Sequence, residues 1–341
     1  MRIRFKEYSE QSDHLTSYIN LEITTAAAIE PVELKRMKES WEPLVDLSIV
    51  HFMIYPETMA GSGPILETVS QIVNDDFFNM IEISHINEGT IRKQVADIIQ
   101  TSHARIAFGA QPAILRQKLD LNSDDQSKRM GAIRVLEPQI DEAKEIGAKR
   151  FTVLSGPDPG QEKREHARSL LIESLLELCG YAKDRGISVT LETFDRTIEK
   201  KSLIGPSDEA LEISKAVKKT FPNFGLMYDM GHAPLLDEDP AKSLRLLKDH
   251  LVHVHVGNCV KKQGLTAYGD QHPRFGISGG ENDVAELVKF LRALIEIGYI
   301  PSTPREVSPV VGFELKPIPG EKSETVIANG KRTWKKAWSL I

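Results

Sequence analysis

The chain of 341 residues has little of several features that mark particular classes of protein. Its two cysteines, Cys179 and Cys259, are far apart and form neither a disulfide framework nor a paired zinc spacing, which is typical of a reducing compartment. It has no excess of positive charge, because the formal net charge is -6, and this disfavours nucleic acid as a partner. No apolar run approaches the roughly 20 residues that span a bilayer, and the first residues lack a secretory signal. These absences predict a cytoplasmic protein without a membrane segment.

A glycine-rich turn for binding a nucleotide is also lacking. The glycines of residues 61–64 form a short stretch that proline interrupts, and we interpret it as a loop. A doubly wound sheet that binds a dinucleotide would need such a turn after its first strand. The sequence therefore gives no support to that fold or to hydride transfer.

Short runs of apolar and β-branched residues recur along the chain and predict strands. They cover residues 47–54, 77–84, 103–110, 149–156, 186–193, 223–230, 251–258 and 310–317. Helical patterns lie between nearly all of them, and two of these patterns stop at Gly186 and Gly298. Eight strands that alternate with helices over about 270 residues predict an α/β TIM (β/α)8 barrel, a fold of roughly 250 residues.

Both ends of the chain add helical patterns to this barrel. Residues 30–44 read as a charged amphipathic helix before the first strand, and residues 319–341 read as a closing helix whose tryptophans pack on the body. No linker or repeat is visible. We therefore predict a single domain over residues 1–341, with a barrel core at about 47–317.

Acids and a histidine stand at the carboxyl ends of the last four predicted strands, each directly after an apolar run. They are Glu192, Asp229, His255 and Glu314. Alone, each could be a helix cap, a surface charge or a hydrogen-bonded core histidine. In a parallel barrel, however, such strand ends converge, and three carboxylates together would repel one another unless a cation lies between them. Three oxygen donors and one imidazole suit manganese, magnesium or cobalt, so the pattern predicts a divalent metal site.

Two histidines lie two residues apart in the seventh strand, so that both point to the same face. His255 is at the strand end and is predicted to be the metal ligand. His253 lies one pleat deeper, and we predict that it is packed or orients His255.

Four stretches carry a family resemblance: "LETFDR" at 191–196, "YDMGH" at 228–232, "HVHVGN" at 253–258 and "GFELKP" at 312–317. Together they resemble the xylose isomerase-like TIM barrel superfamily of sugar phosphate isomerases and epimerases, nearest to the D-tagatose 3-epimerase type. The resemblance covers about residues 47–317. It implies an enzyme that acts on a small sugar or sugar derivative, a Mn2+ cofactor with Mg2+, Co2+ or Zn2+ as alternatives, and a homo-oligomer.

The resemblance also implies roles for individual residues. It matches Glu192, Asp229, His255 and Glu314 to the metal ligands, Glu192 and Glu314 to the acid/base pair, and Arg196 and His232 to substrate-binding residues. The chain departs from the family pattern in two places. Lys261 stands where the epimerases have an arginine, which changes the contact with substrate, and Ile198, followed by Glu199, stands where they have a second glutamate.

The loop after the seventh strand, residues 268–284, is rich in polar groups and is predicted to be a lid. Asp270 and His272 in this loop are predicted to bind substrate. Ser155, after the fourth strand, is a weaker candidate for a contact with substrate, and His85 is more consistent with a structural role.

The predicted reaction is proton transfer through a metal-stabilised enediolate of a ketose, a sugar acid or a related polyol-derived ketone, which would interconvert epimers or isomers. A metal-dependent dehydratase or lyase of a keto-polyol is the alternative on the same barrel. A sugar-binding protein without catalysis is less favoured. An apurinic endonuclease is also less favoured, since it would need about three zinc ions and histidines after the second and third strands.

Overall fold

Eight parallel strands pair in sequence order and close into a barrel in the computed structural model, which describes residues 40–341. The strands are β1 Asp46–Val50, β2 Met80–Ile83, β3 Arg105–Gly109, β4 Arg150–Leu154, β5 Ser188–Glu192, β6 Phe224–Asp229, β7 Leu251–Gly257 and β8 Val310–Glu314. Every predicted strand is present, and the predicted (β/α)8 barrel is confirmed. The predicted helix at 30–44 lies mostly outside the described residues, so it stays a prediction, as does the single domain over 1–341.

Helices follow the strands and surround the barrel. They are α1 His51–Ile54, α2 Ile65–Val73, α3 Gly89–Ser102, α4 Gln111–Gln117, α5 Gln126–Glu145, α6 Arg164–Lys183, α7 Ser207–Lys218, α8 Pro240–Leu247, α9 Val284–Glu296 and α10 Ser323–Trp338, with 3-10 turns at Pro56–Thr58, Gln161–Lys163 and Ala233–Leu236. Gly186 and Gly298 follow α6 and α9 with φ of +70° and +72°, the left-handed conformation that glycine adopts readily after a helix. Within the described part of the chain, no helix is long and apolar enough to cross a membrane.

The first strand ends earlier than the sequence predicts. Its pairing with β2 stops at Val50, opposite Glu82, and the chain turns into the short helix α1 at His51. His51, Phe52 and Ile54 are nevertheless buried. A buried helical turn and a buried strand give the same apolar run, which explains why the prediction extended to residue 54.

The barrel closes where β1 pairs with β8, for example Leu47 with Val311. The closing helix α10 is present as predicted. Its Trp334 and Trp338 rings stack with centroids 5.8 Å apart, and Trp41, just before β1, meets both rings edge-on at 6.4 Å. This aromatic cluster joins the two ends of the described chain across the closing seam.

Candidate metal centre and active site

The carboxyl ends of the last four strands bring the four predicted ligands together. Pairing of β6 with β7 places Asp229 opposite His255, and pairing of β7 with β8 places Gly257 opposite Glu314. The group consists of Glu192, Asp229, His255 and Glu314, and one ligand atom from each lies within 4.8 Å of the other three. All four side chains are buried.

The donor atoms of this group are arranged around the Nδ1 atom of His255. It lies 2.8 Å from Glu314 Oε2, 3.8 Å from Asp229 Oδ2 and 3.9 Å from Glu192 Oε1. Glu192 Oε1 and Asp229 Oδ2 are buried and have no hydrogen-bond partner among the described residues. Buried carboxylate oxygens without partners are costly, and a divalent cation between them would remove that cost. The residues present therefore fit a divalent ion held by three carboxylates and one imidazole.

The two glutamates have pKa values that move in opposite directions. Burial, together with the charge of Glu314, raises the pKa of Glu192 to about 8. Burial alone would raise the pKa of Glu314 too, but the charge of His272 and the hydrogen bond from His255 lower it to about 2. Two neighbouring carboxyl groups whose environments separate their pKa values can divide acid and base roles between them.

Glu82 on β2 is a part of the site that our sequence analysis missed. Its Oε2 lies 3.1 Å from His255 Nε2, while its Oε1 lies 2.9 Å from His253 Nε2 and accepts a hydrogen bond from Ser48 Oγ at 2.5 Å. The other ring nitrogen of His253 accepts from Arg150 Nη1 at 2.8 Å. Glu82 thus orients both imidazoles, and His253 contacts Glu82 rather than hydrogen-bonding His255. The sequence did carry one sign of it, an acid within the apolar run of β2, whose four residues are all buried.

A hydrogen-bonded chain of polar side chains consequently runs inside the barrel from β4 to the predicted metal ligands. Its order is Arg150, His253, Glu82, His255 and Glu314. Barrel interiors are more often filled by branched apolar side chains. Each polar group here has a partner, which offsets the cost of burying it.

The loop between β7 and α9 carries Asp270 and His272 into the same site. Asp270 Oδ1 lies 2.8 Å from His272 Nε2 and 3.1 Å from His232 Nε2. His272 Nδ1 lies 3.9 Å from Asp229 Oδ2 and has no hydrogen-bond partner in the described part of the chain. Asp229, His232 and His272 form a second buried group that could hold a cation, next to the first.

Residues after β5 hold this loop in place. Glu199 accepts hydrogen bonds from the Asp270 backbone N at 2.7 Å and from Gln271 Nε2 at 2.5 Å. Lys200 Nζ donates to Glu199 Oε1 at 2.9 Å and lies 3.3 Å from Asp270 Oδ2. Asp195 fixes this segment by accepting from the backbone N–H groups of Glu199 and Lys200. Glu199 therefore positions the loop, and it is the residue directly after Ile198, which occupies the position of the family's second glutamate.

Two predicted substrate-binding residues lie outside this cluster. Arg196 donates two hydrogen bonds to Glu209, at 2.9 and 2.6 Å, within the segment between β5 and α7. Lys261 forms an ion pair with Asp237 and is partly exposed. The structure brings neither side chain to the four ligands, because each already has a carboxylate partner elsewhere, and their contacts with substrate stay predictions.

The weaker candidates have structural contacts. His85 Nδ1 lies 2.6 Å from Glu142 Oε2, and Ser155 Oγ accepts from the Ile204 backbone N at 2.9 Å. Neither belongs to the groups of metal-ligand atoms found among the described residues.

A cavity of about 140 Å³ adjoins the cluster and includes Glu314 and His272 in its lining. Phe52 and Phe194 give it apolar walls. Gln111, at the start of α4, also lines it and donates from Nε2 to Glu192 Oε2 at 2.7 Å. The second carboxylate oxygen of Glu192 is thus fixed by an amide at the edge of this cavity.

Comparisons with known proteins place this geometry in a known fold. The family model described as xylose isomerase-like TIM barrel matches residues 92–305. A crystal structure of a D-tagatose 3-epimerase-like protein is similar with a TM-score of 0.64 at 18% identity, over 86% of this chain and 97% of that one. The IolI protein with a bound zinc atom gives 0.65 at 19% identity, over 86% and 98%.

An AP endonuclease of family 2 from Brucella melitensis is also similar, with a TM-score of 0.61 at 16% identity over 84% of this chain and 97% of that one. No curated protein matches the chain. At these identities the likeness to solved structures shows the fold.

Proposed function

Because the chain belongs to the xylose isomerase-like TIM barrel family, we propose that it is a divalent-metal-dependent isomerase or epimerase of a ketose, a sugar acid or a related polyol-derived ketone. The observation that carries this proposal is the group of Glu192, Asp229, His255 and Glu314, whose buried ligand atoms all lie within 4.8 Å of one another. The structural neighbours support it, because they include a D-tagatose 3-epimerase-like protein and a zinc-containing IolI protein.

Glu192, Asp229, His255 and Glu314 would hold the ion, with Mn2+ proposed and Mg2+, Co2+ or Zn2+ as alternatives. When bound, a divalent ion polarises a ketone and acidifies the neighbouring C–H group. Ion binding would also displace protons from the site, because the charges of Glu82 and Glu314 and their hydrogen bonds raise the pKa of His255 well above its usual value, although burial opposes this.

Proton transfer is assigned to the two glutamates. Glu314 reaches the cavity and has the lowered pKa, so it takes the proton from the carbon next to the ketone. Glu192 has the raised pKa and is oriented by Gln111, so it returns a proton from its own side. Return to the opposite face of the same carbon inverts it, whereas return to the neighbouring carbon interconverts ketose and aldose.

Exchange of hydrogen with solvent tests this function. The Mn2+-loaded protein, incubated with a panel of ketoses and keto acids in heavy water, should place deuterium next to the ketone of one of them. Glu314→Gln should abolish the exchange and leave the unfolding midpoint close to wild type. Glu142→Gln, which removes a buried carboxylate that belongs to none of the metal-ligand groups of the described residues, should retain it. No deuterium uptake with any member of the panel would refute the proposal.

A dehydratase or lyase remains the alternative on the same residues, because an enolate can expel a β-hydroxyl group instead of being reprotonated. Mass spectrometry of the products separates the two, since elimination removes water and epimerisation leaves the mass unchanged.

The second buried group, Asp229, His232 and His272, favours a different candidate, a hydrolase that uses two ions. Elemental analysis of the dialysed protein decides the point. About one ion per chain, lost in His255→Ala, supports the isomerase, and two or more ions support the hydrolase. A cytoplasmic location and a homo-oligomer stay predictions.

A further inference from the structure

The lining of the cavity beside Glu314 contains more cations than anions. Arg116, at the end of α4, Lys200, after β5, and Lys316, two residues beyond Glu314, all line it. Asp270 and Glu314 are the carboxylates among the lining residues. The charges therefore come from four different segments of the barrel mouth.

Both carboxylates already have cationic or hydrogen-bonding partners. Asp270 Oδ2 lies 3.3 Å from Lys200 Nζ, and Glu314 Oε2 lies 2.8 Å from His255 Nδ1. Lys200 is committed further, because it donates to Glu199 Oε1 and to the Asp270 carbonyl. The negative charge of the lining is thus balanced within the protein.

Arg116 and Lys316, by contrast, have no side-chain hydrogen bond or ion pair with any residue that the structure describes. Arg116 is exposed, and Lys316 is half-buried. The backbone N of Lys316 donates to the His272 carbonyl at 2.7 Å, which fixes the base of this side chain beside the site. Two cations at one cavity edge are thus left for a ligand.

A larger groove adjoins the cavity at Lys316. A neighbouring groove of about 700 Å³ shares Gln271 and Lys316 with the cavity lining. Its acids are Glu57, which is exposed, and Glu321, which lies 2.6 Å from Arg274 Nε. Lys316 therefore lines both the cavity beside Glu314 and the groove next to it.

We infer that the substrate of the proposed reaction carries an anionic group, a carboxylate or a phosphate, which Lys316 and Arg116 bind while the ketone end faces Glu314. This rests on the proposed function of the same site. A neutral ketose would leave both cations without a counter-charge, whereas an anionic one would form charge-assisted hydrogen bonds with them. The arginine is suited to bidentate contact with either oxyanion, and the lysine supplies a mobile point charge.

Binding calorimetry on the Mn2+-loaded protein tests the inference without requiring turnover. The probes are D-fructose, D-fructose 6-phosphate and 5-keto-D-gluconate, which are neutral, phosphorylated and carboxylated. We expect at least one anionic probe to bind about 10-fold or more tighter than D-fructose, the gain typical of a hydrogen bond to a charged group. The probe that gains affinity identifies the anion as phosphate or carboxylate.

Variants separate a contact with these cations from a contact with the metal. Lys316→Met and Arg116→Met should each remove most of the preference for the anion and leave the affinity for D-fructose unchanged. Lys322→Met, which removes an exposed lysine from outside the cavity lining, is the matched control and should retain the preference.

Equal affinity for neutral and anionic probes would overturn the inference, and so would a preference that both Lys316→Met and Arg116→Met retain, since the anion would then bind the metal itself. The heavy-water exchange assay is independent of these outcomes. A lack of exchange with a retained, Lys316-dependent preference would refute the reaction and leave the anion site standing.

Discussion

Replacing Glu82 with glutamine should weaken the affinity for a divalent ion by about 10- to 100-fold, the usual effect of losing a residue that orients a metal-binding histidine. The physical reason is the position of one proton. Glu82 Oε2 lies 3.1 Å from His255 Nε2 and can only accept, so this nitrogen keeps its proton. His255 Nδ1, which faces Glu314, is then the nitrogen that can bind the metal.

Glutamine cannot keep this arrangement. Arg150 is only a donor and lies 2.8 Å from His253 Nδ1, so the proton of neutral His253 is on Nε2, which faces Glu82 Oε1. The amide oxygen of a glutamine at position 82 must stay on that side, and its NH2 group then faces His255 Nε2. The imidazole of His255 responds by carrying its proton on Nδ1, where the metal should bind. The expected loss corresponds to about 1.4–2.8 kcal/mol of binding free energy.

The assay is a titration of the dialysed protein with Mn2+, in which electron paramagnetic resonance measures the free ion. Glu142→Gln is the matched control, because Glu142 is also buried and accepts from His85 Nδ1 at 2.6 Å, but lies outside the metal-ligand groups of the described residues. Its affinity for Mn2+ should equal that of the wild type. Ser48→Ala, which removes the hydroxyl contact of Glu82 but neither imidazole contact, should also bind normally. A folded Glu82→Gln protein with wild-type affinity would refute the tautomer argument.

Three further expectations follow from the contacts described above. In Glu199→Gln, the new amide NH2 group would face either the Asp270 backbone N–H or the Gln271 side-chain amide, and the hydrogen bond from that donor would be lost. Backbone hydrogen exchange in the loop between β7 and α9 should therefore become faster. Unchanged exchange would mean that other contacts hold the loop. Gly312→Ala would bring a Cβ atom to 2.5 Å from Glu82 Oε1, and we expect a loss of about 1–3 kcal/mol in urea unfolding, whereas a variant as stable as the wild type would show that the barrel interior can relax. Burial lowers the pKa of His51 to about 3, so its neutral form stabilises the fold fully above pH 6.5, and this contribution is lost as the pH falls from 6.5 towards 3. The denaturation midpoint of the wild type should therefore fall more steeply over that window than that of His51→Gln, and parallel curves would contradict the shift.

That the four candidate ligands meet at one place could be predicted from the sequence, because position along a parallel strand determines which end of a barrel a residue reaches. Glu192 and Glu314 each end an apolar run, so no knowledge of packing was needed to place them at one mouth. Glu82 escaped because β2 is buried on both faces, and apolar neighbours on either side of an acid do not reveal whether it points into the barrel or out of it.

Contacts between distant segments set the other limit. Lys261 has the right distance from His255 along the chain, yet its ammonium pairs with Asp237 from another loop, a contact that spacing does not encode. Asp270 and His272 were predicted only as substrate-binding residues of a lid. Their place beside the ligands depends on Glu199 and on the path of a long loop, which a local pattern cannot give.

The order in which the barrel is assembled has a consequence for the newly made protein. Glu82 is synthesised early, whereas Glu314, which also contacts His255, is part of the last strand, which must pair with β1 to close the barrel. At about 5–20 residues per second, roughly 10 to 50 s separate the synthesis of these two residues. During that interval β1 keeps an open edge, the kind of surface that pairs with other chains. A chain that stalls before β8 can therefore neither complete the proposed metal site nor cover this edge, so binding of the proposed ion would report that synthesis has reached the end of the barrel.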